Sequence, residues 1–337
     1  MQTLVLQEPG HLTLTETSFP QAPGPGEALV RVHRVGVCGT DLHAYRGKQP
    51  FFSYPRILGH ELGVEVLAVD DPIGRIRVGD RCAVEPYLNC GRCVACRRGK
   101  TNCCATLNVL GVHGDGGMRE QLLVPAAKLH PSARLDYDAL ALVETLAIGA
   151  HAVSRAALQP EDTVLVIGAG PIGLSVIEFV KLAGVSFAVA DRSAARLAFC
   201  RQALGVQTAL DADEALAEKL TSHWGDLPTV VIDATGNPAS MMSAFQYVAQ
   251  GGKLVYVGLF QGDVSFHDPL FHRKELTLLA SRNALAADFT AIIGHLEAGR
   301  IDTCPWITHR ATLTETPQVF PAWLEPETGV IKAMLTI

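Results

Sequence analysis

Thr163-Val-Leu-Val-Ile-Gly-Ala-Gly-Pro-Ile-Gly-Leu174, followed a helix's length later by Phe187-Ala-Val-Ala-Asp191, decides the fold of this chain. The unbroken apolar run Val164 to Ile167 predicts a strand covered on both faces. Gly168, Gly170 and Gly173 have the spacing of a dinucleotide fingerprint: one for a sharp turn, one for close approach of a pyrophosphate, one for packing helix on strand. Pro171 and Ile172 open the helix, whose first amides are unpaired and face an anion. Asp191 ends the next strand, where a carboxylate suits an adenosine ribose and repels a 2′-phosphate, which predicts NAD. Arg192 and Arg196 follow closely and work against that preference. The strand before, the helix after and the acid at its distance give the glycines a context that three glycines alone would lack.

Beyond this stretch the alternation continues. Residues 193–204 and 213–222 read as helices, and 229–233 and 253–257 as buried strands. Each strand ends in a small-residue turn, carrying Thr235 and Gly258 respectively. Ligands of open parallel sheets lie beyond the carboxyl ends of the strands, so both turns are expected at the nicotinamide half of a cofactor. Residues 287–299 read as a helix and 332–337 as a closing strand returning to the N-terminal part.

The N-terminal third is strand-rich, with a hairpin around Pro9-Gly10 and strands over 28–37, 62–69 and 76–85. The first of these runs into Cys38-Gly-Thr-Asp-Leu-His43. Gly59-His-Glu61 follows, and Glu144 stands in the apolar helical stretch 140–150, where a carboxylate is costly without a partner. Thiolate, imidazole and carboxylate are all ligand types zinc accepts, and a catalytic zinc keeps one position open. Cys38, His60 and Glu61 are the expected ligands. Glu144 is either a fourth ligand or the holder of a zinc-bound water.

Cys90, Cys93, Cys96 and Cys104 follow a C-x2-C-x2-C-x7-C pattern, which matches a closed structural zinc site with no vacant position. Cys103 could exchange with Cys104, though the spacing favours Cys104. His113, in a glycine-rich turn, suits either a substrate pocket or a plain loop.

Composition bounds the rest. With 337 residues there is room for two domains, and a net charge of -6 argues against nucleic acid or an anionic membrane as partner. The N-terminus lacks signal-peptide character. The most apolar run, 139–153, is broken by Glu144 and His151, and no membrane span is expected. Nine cysteines without an export signal favour metal binding over disulfides, and a cytoplasmic location.

Taken together, Cys38-Gly-Thr-Asp, Gly59-His-Glu, the four-cysteine lobe, the Gly168 fingerprint and Asp191 make the chain resemble the zinc-dependent medium-chain dehydrogenases over its full length. The resemblance implies an α/β architecture. A Rossmann domain with a doubly wound parallel sheet (145–281) is inserted in a mainly β, GroES-like catalytic domain (1–144 and 282–337) that carries the structural zinc lobe (89–104). It implies two zinc ions per chain, NAD, a small-molecule polyol or sugar-acid substrate, and a dimer or tetramer. Glu61 and Glu144 look like the polyol and threonine dehydrogenase branch. The stretch 47–56, with Gly111-Val-His-Gly-Asp-Gly-Gly and Ser281-Arg-Asn283, is similar to bacterial L-galactonate and L-gulonate 5-dehydrogenases.

That likeness implies oxidation of a secondary alcohol on an aldonic acid, with Arg282, Lys48 and His113 as candidates for the substrate carboxylate. It gives Thr40 and His43 the part of a hydroxyl and imidazole proton relay, and Asp41 that of orienting His60. Lys332 falls where a basic residue meets cofactor phosphates. The alternatives are an L-threonine 3-dehydrogenase or sorbitol-type enzyme and, in another class, a non-catalytic nucleotide-binding regulator.

Overall fold

The computed structural model describes residues 1–49 and 52–337, so Pro50 and Phe51 of the stretch 47–56 lie outside the described residues. The chain forms two compact units, Met1–Thr145 with Leu285–Ile337, and Leu146–Ala284. The sequence reading set the joins after Glu144 and Ser281.

The inserted unit holds a six-stranded, all-parallel sheet. Its order is Ala209–Asp211, Ser186–Asp191, Thr163–Ile167, Val230–Asp233, Lys253–Tyr256, Thr277–Ala280. Numbered along the chain this is 3-2-1-4-5-6, the dinucleotide-binding order, which reverses between Thr163–Ile167 and Val230–Asp233. Val164, Leu165 and Val166 are fully buried, as the apolar run predicts. The helix Pro171–Ala183 starts on Gly170 and stops at Gly184 in the left-handed region. Ser193 caps Ala194–Leu204, its side chain accepting from the amide of Arg196. The helix read over 213–222 forms later, at Leu216–Trp224.

The other unit is built on a seven-stranded sheet around Glu27–Val37. On one side Glu27–Val37 pairs antiparallel with Glu61–Val69, placing Gly36 opposite Glu61. On the other it pairs with Lys332–Thr336, placing Ala333 opposite Val37. The closing strand thus returns to the N-terminal sheet, and it also pairs in parallel with Ile307–Thr312, a strand the sequence pattern did not announce. Val30, Val32, Val35, Leu62, Val64 and Leu335 fill the core between these strands. The hairpin of Gln2–Glu8 and His11–Glu16 forms as read.

One expectation is corrected in length alone: the apolar run is longer than 139–153. Tyr137–Ala156 is a 20-residue helix, long and apolar enough by length and composition to cross a membrane. The run 139–153 is continued at both ends by helical residues, and its two interruptions, Glu144 and His151, are themselves buried. Two thirds of its most apolar window lies inside the protein, as in a core helix.

Candidate active site and metal centres

The strand Glu27–Val37 ends where the short helix Gly39–Tyr45 begins, and Cys38 is the residue between them. Asp41, fully buried, accepts the amide of Cys38 at 2.9 Å and that of Gly59 at 3.4 Å. One carboxylate therefore ties together the two backbone segments that carry Cys38 and His60. Its contact with His60 Nδ1 is 3.9 Å, beyond hydrogen-bond reach, so Asp41 acts on the backbone more than on the ring.

Cys38, His60 and Glu61 each offer a ligand atom within 4.8 Å of the others. Glu61 lies so close to its strand partner that a Cβ on residue 36 would fall 2.1 Å from its Oε2, and only glycine fits there. Lys332 Nζ stands 2.7 and 2.8 Å from the two oxygens of Glu61 and 3.3 Å from the carbonyl of Val37. The expectation that Lys332 meets cofactor phosphates is therefore not met. Its side chain is 1% exposed, and the ammonium's three donors are taken up inside the catalytic unit.

Glu144 is not one of the three clustered groups. Its Oε1 accepts the hydroxyl of Tyr87, which is itself buried. Burial, and Glu144 next to it, push the Tyr87 phenol far above its usual pKa, so it remains a donor. Burial also raises the carboxyls of Glu144 and Asp41, with His60 acting against it in both. For His60 burial opposes the charge, but Cys38 and Asp41 outweigh it and lift the imidazole well above its ordinary value.

Three buried carboxyls and a thiol thus face one lysine and one histidine, and the buried Nδ1 of His60 has no hydrogen-bond partner. Sulfur, imidazole and carboxylate around an orphaned nitrogen fit a divalent zinc. Tyr87, and the pairing of Lys332 with Glu61, escaped the sequence reading because the partners lie 57 and 271 residues apart.

The second group, Cys90, Cys93, Cys96 and Cys104, also has its sulfurs within 4.8 Å of one another. The amide of Cys90 points at Cys104 Sγ at 3.3 Å and that of Cys96 at Cys93 Sγ at 3.5 Å, amide-to-sulfur contacts that favour thiolates. Backbone amides of Arg92 and Cys93 draw Cys90 down to about 6. Cys103 is exposed and outside the group. Within the same group burial, then the neighbouring Cys93, lifts Cys96 to about 11, and outside it burial lifts Cys82 to about 12 and Cys200 to about 11, as for inert core thiols.

Thr40 and His43 share one face of the helix Gly39–Tyr45. Partial cover, with Arg46 and Lys48 nearby, lowers the pKa of His43. Lys48 is exposed, and His113 accepts the amide of Val109 on Nδ1 at 3.1 Å, which fastens its loop. Arg282 is exposed and belongs to the inserted unit.

In that unit Gly168 adopts φ +97°, and a Cβ on Gly173 would fall 1.8 Å from the carbonyl of Gly168. The Asp191 carboxylate accepts Ala169 N and Ser193 N, both at 2.7 Å, bracing the glycine turn while keeping lone pairs for a ribose. Thr235 donates to the buried Asp233 at 2.6 Å. A Cβ on Gly258 would strike Gly236 N at 2.1 Å, so the two turns meet. Arg192 and Arg196 are exposed, the latter reaching to 3.6 Å from a Cβ built on Gly170. Unpaired helix amides, a glycine approach and a terminal carboxylate fit a dinucleotide.

A half-buried thiol beside a buried imidazole and carboxylate, a four-thiol lobe and a dinucleotide fingerprint define a zinc-dependent dehydrogenase of alcohols. Residues 24–134 match the alcohol dehydrogenase GroES-like domain and residues 171–298 the zinc-binding dehydrogenase domain, and the chain belongs to this family. It is 43% identical over 320 residues to the L-galactonate-5-dehydrogenase of Escherichia coli (strain K12), covering 94% of each chain. It is 34% identical to the D-altritol 5-dehydrogenase of Agrobacterium fabrum, again over 94% of each. Among solved structures, a short chain alcohol dehydrogenase from Escherichia coli CFT073 complexed with NADH superimposes with a TM-score of 0.92 at 31% identity. That match covers 100% of this chain and 99% of the other.

Proposed function

We propose that the enzyme oxidises a secondary alcohol of a six-carbon sugar acid, of the L-galactonate or L-gulonate 5-dehydrogenase type, with NAD as hydride acceptor. The observation that carries the reading is the clustering of Cys38, His60 and Glu61, with the unpartnered nitrogen of His60. The substrate class rests on the likeness to L-galactonate-5-dehydrogenase, and NAD on the NADH-bound relative together with Asp191. Cys38 and His60, with carboxylate from Glu61 or Glu144, would hold the catalytic zinc, and Cys90, Cys93, Cys96 and Cys104 the structural one. A zinc ion held in the first set supplies Lewis acidity that makes a hydroxyl group a stronger acid.

The protein's own groups supply the rest. Thr40 Oγ1 accepts the proton leaving the substrate hydroxyl as it gives up its own, and the proton so released passes outward to the His43 ring. A lowered pKa keeps that ring free to accept. Lys332 holds Glu61, and Glu144 serves the metal side of the site. Gly168, Gly170, Pro171, Ile172 and Gly173 seat the pyrophosphate, Asp191 the ribose, and Thr235 and Gly258 border the nicotinamide. Arg192 and Arg196 line the adenosine end. Arg282 is the first candidate for the sugar-acid carboxylate, because a planar guanidinium suits bidentate carboxylate recognition, and Lys48 and His113 rank after it.

A dimer or tetramer belongs to the same reading, supported by the exposed edge strand Thr277–Ala280. So does a cytoplasmic location, supported by nine cysteines none of which is in a disulfide.

The test is reduction of NAD with L-galactonate, L-gulonate, D-altritol, sorbitol and L-threonine under identical conditions, with zinc measured on the same sample. The expected result is highest kcat/KM on an aldonate. Preference for a hexitol or for L-threonine would refute the substrate class, and zinc and NAD binding without any turnover would refute the enzyme reading.

A further inference from the structure

The hydroxyl of Tyr87 ends on Glu144, a buried carboxylate outside the Cys38, His60 and Glu61 group. Tyr87 is 2% and Glu144 5% exposed, so neither group can turn to water for a partner. Glu144 sits on a helix with a side chain of three rotatable bonds, and its carboxyl could present either oxygen. Tyr87 is fixed at both ends. Its backbone pairs with Val109, and its ring meets Phe289 edge-on at 6.1 Å. The strand Tyr87–Leu88 enters the four-cysteine lobe at Cys90, and its partner Asn108–Val109 follows Cys104. The lobe therefore closes the two strands on which the phenol stands.

We propose that Tyr87 is a positioning residue for the oxidation. By holding Oε1 of Glu144 it leaves Oε2, which no hydrogen bond reaches among the described residues, as the oxygen that serves the metal site. This rests on the reading that Cys38, His60 and Glu61 hold a metal. It adds that the lobe, through Tyr87, sets the orientation of a catalytic carboxylate. The competing account is that the bond merely satisfies a buried acid.

Tyr87→Phe keeps the ring on Phe289 and removes only the donor. In the holoenzyme, kcat should fall by roughly 10- to 100-fold with a smaller change in KM, as for other groups that orient metal-site ligands. With cobalt(II) in place of zinc, the visible bands of the variant should differ from wild type without substrate. Tyr87→Phe placed on Glu144→Gln should slow that enzyme no further, and 4-aminophenylalanine at position 87, which keeps a donor, should restore activity. Unchanged kcat and cobalt bands with only a lower melting temperature would overturn the proposal, as would additive losses in the double variant. If Tyr87→Phe does not fold, 3-fluorotyrosine in place of tyrosine must move the bands, and unmoved bands refute it. A wrong substrate class leaves the cobalt comparison standing. Failure of Cys38→Ser to alter metal content would instead refute the metal reading on which the proposal rests.

Discussion

Replacing Lys332 by methionine isolates the buried charge pair. Lys332 and Glu61 are each 1% exposed and 2.7 Å apart. At an effective dielectric constant of about 20, the attraction between unit charges at that 2.7 Å separation is about 6 kcal/mol. Much of this offsets the cost of removing both ions from water, but Lys332→Met removes the attraction while leaving the Glu61 carboxylate buried. Breaking such a pair costs about 3–5 kcal/mol. The expected outcome in denaturant unfolding is a loss of that size, and Lys332→Met with Glu61→Gln should recover much of it, since a neutral pair carries no stranded charge. Because Lys332 is spent on Glu61, the Kd for NADH should stay well within tenfold, the change that about 1.4 kcal/mol of lost phosphate contact would bring. A destabilisation below about 1 kcal/mol would refute the energetic argument. A loss of NADH affinity beyond tenfold would restore Lys332 to the phosphates.

Gly173→Ala would put a Cβ 1.8 Å from the carbonyl of Gly168. The turn must open, at a cost of about 1–3 kcal/mol, and NADH binding measured by fluorescence should weaken; unaltered affinity would show that the turn tolerates the strain. Cys96→Ser should lower the zinc content by about one ion per chain and reduce thermal stability, while Cys103→Ser should change neither. Equal zinc loss in both variants would overturn the ligand set. The pKa of His43 lies below the usual 6.5 through partial burial, then Arg46 and Lys48. The unfolded chain therefore binds this proton more readily than the folded one. The associated stability is complete above 6.5 and is lost as pH falls through the folded pKa. NMR titration of the ring should show the lowered value and a small rise in Arg46→Gln; no rise would refute the part assigned to Arg46.

What could be read from the sequence was local in the chain. The fingerprint is legible because Gly168, Gly170 and Gly173 act within one turn and Asp191 braces that same turn from the next strand. The four-cysteine lobe is legible because its ligands fall within 15 consecutive residues. Cys38, His60 and Glu61 could be proposed from residue type, and Asp41 as the group orienting His60, yet the contacts by which they are held could not. Asp41 works through two backbone amides, a contact that no side-chain pattern reports. Tyr87 looks like any aromatic at a strand end until the helix carrying Glu144 is packed against it. Lys332 sits in an apolar closing strand, where its neighbours argue only for burial. Its partner depends on a register that brings Val37 opposite Ala333 and Gly36 opposite Glu61. The strand Ile307–Thr312 is largely polar on its exposed face and acquires its role from the strand it joins.

The return of the closing strand also sets an order of events during synthesis. Glu61 leaves the ribosome 271 residues before Lys332. Throughout that interval the whole of Leu146–Ala284 is made, with every strand of its own sheet available for pairing. The inserted unit can mature first, while the host waits with an open seam and an unneutralised acid beside Gly36. A nascent chain halted in between would carry the whole inserted unit and a Glu61 with no lysine beside it.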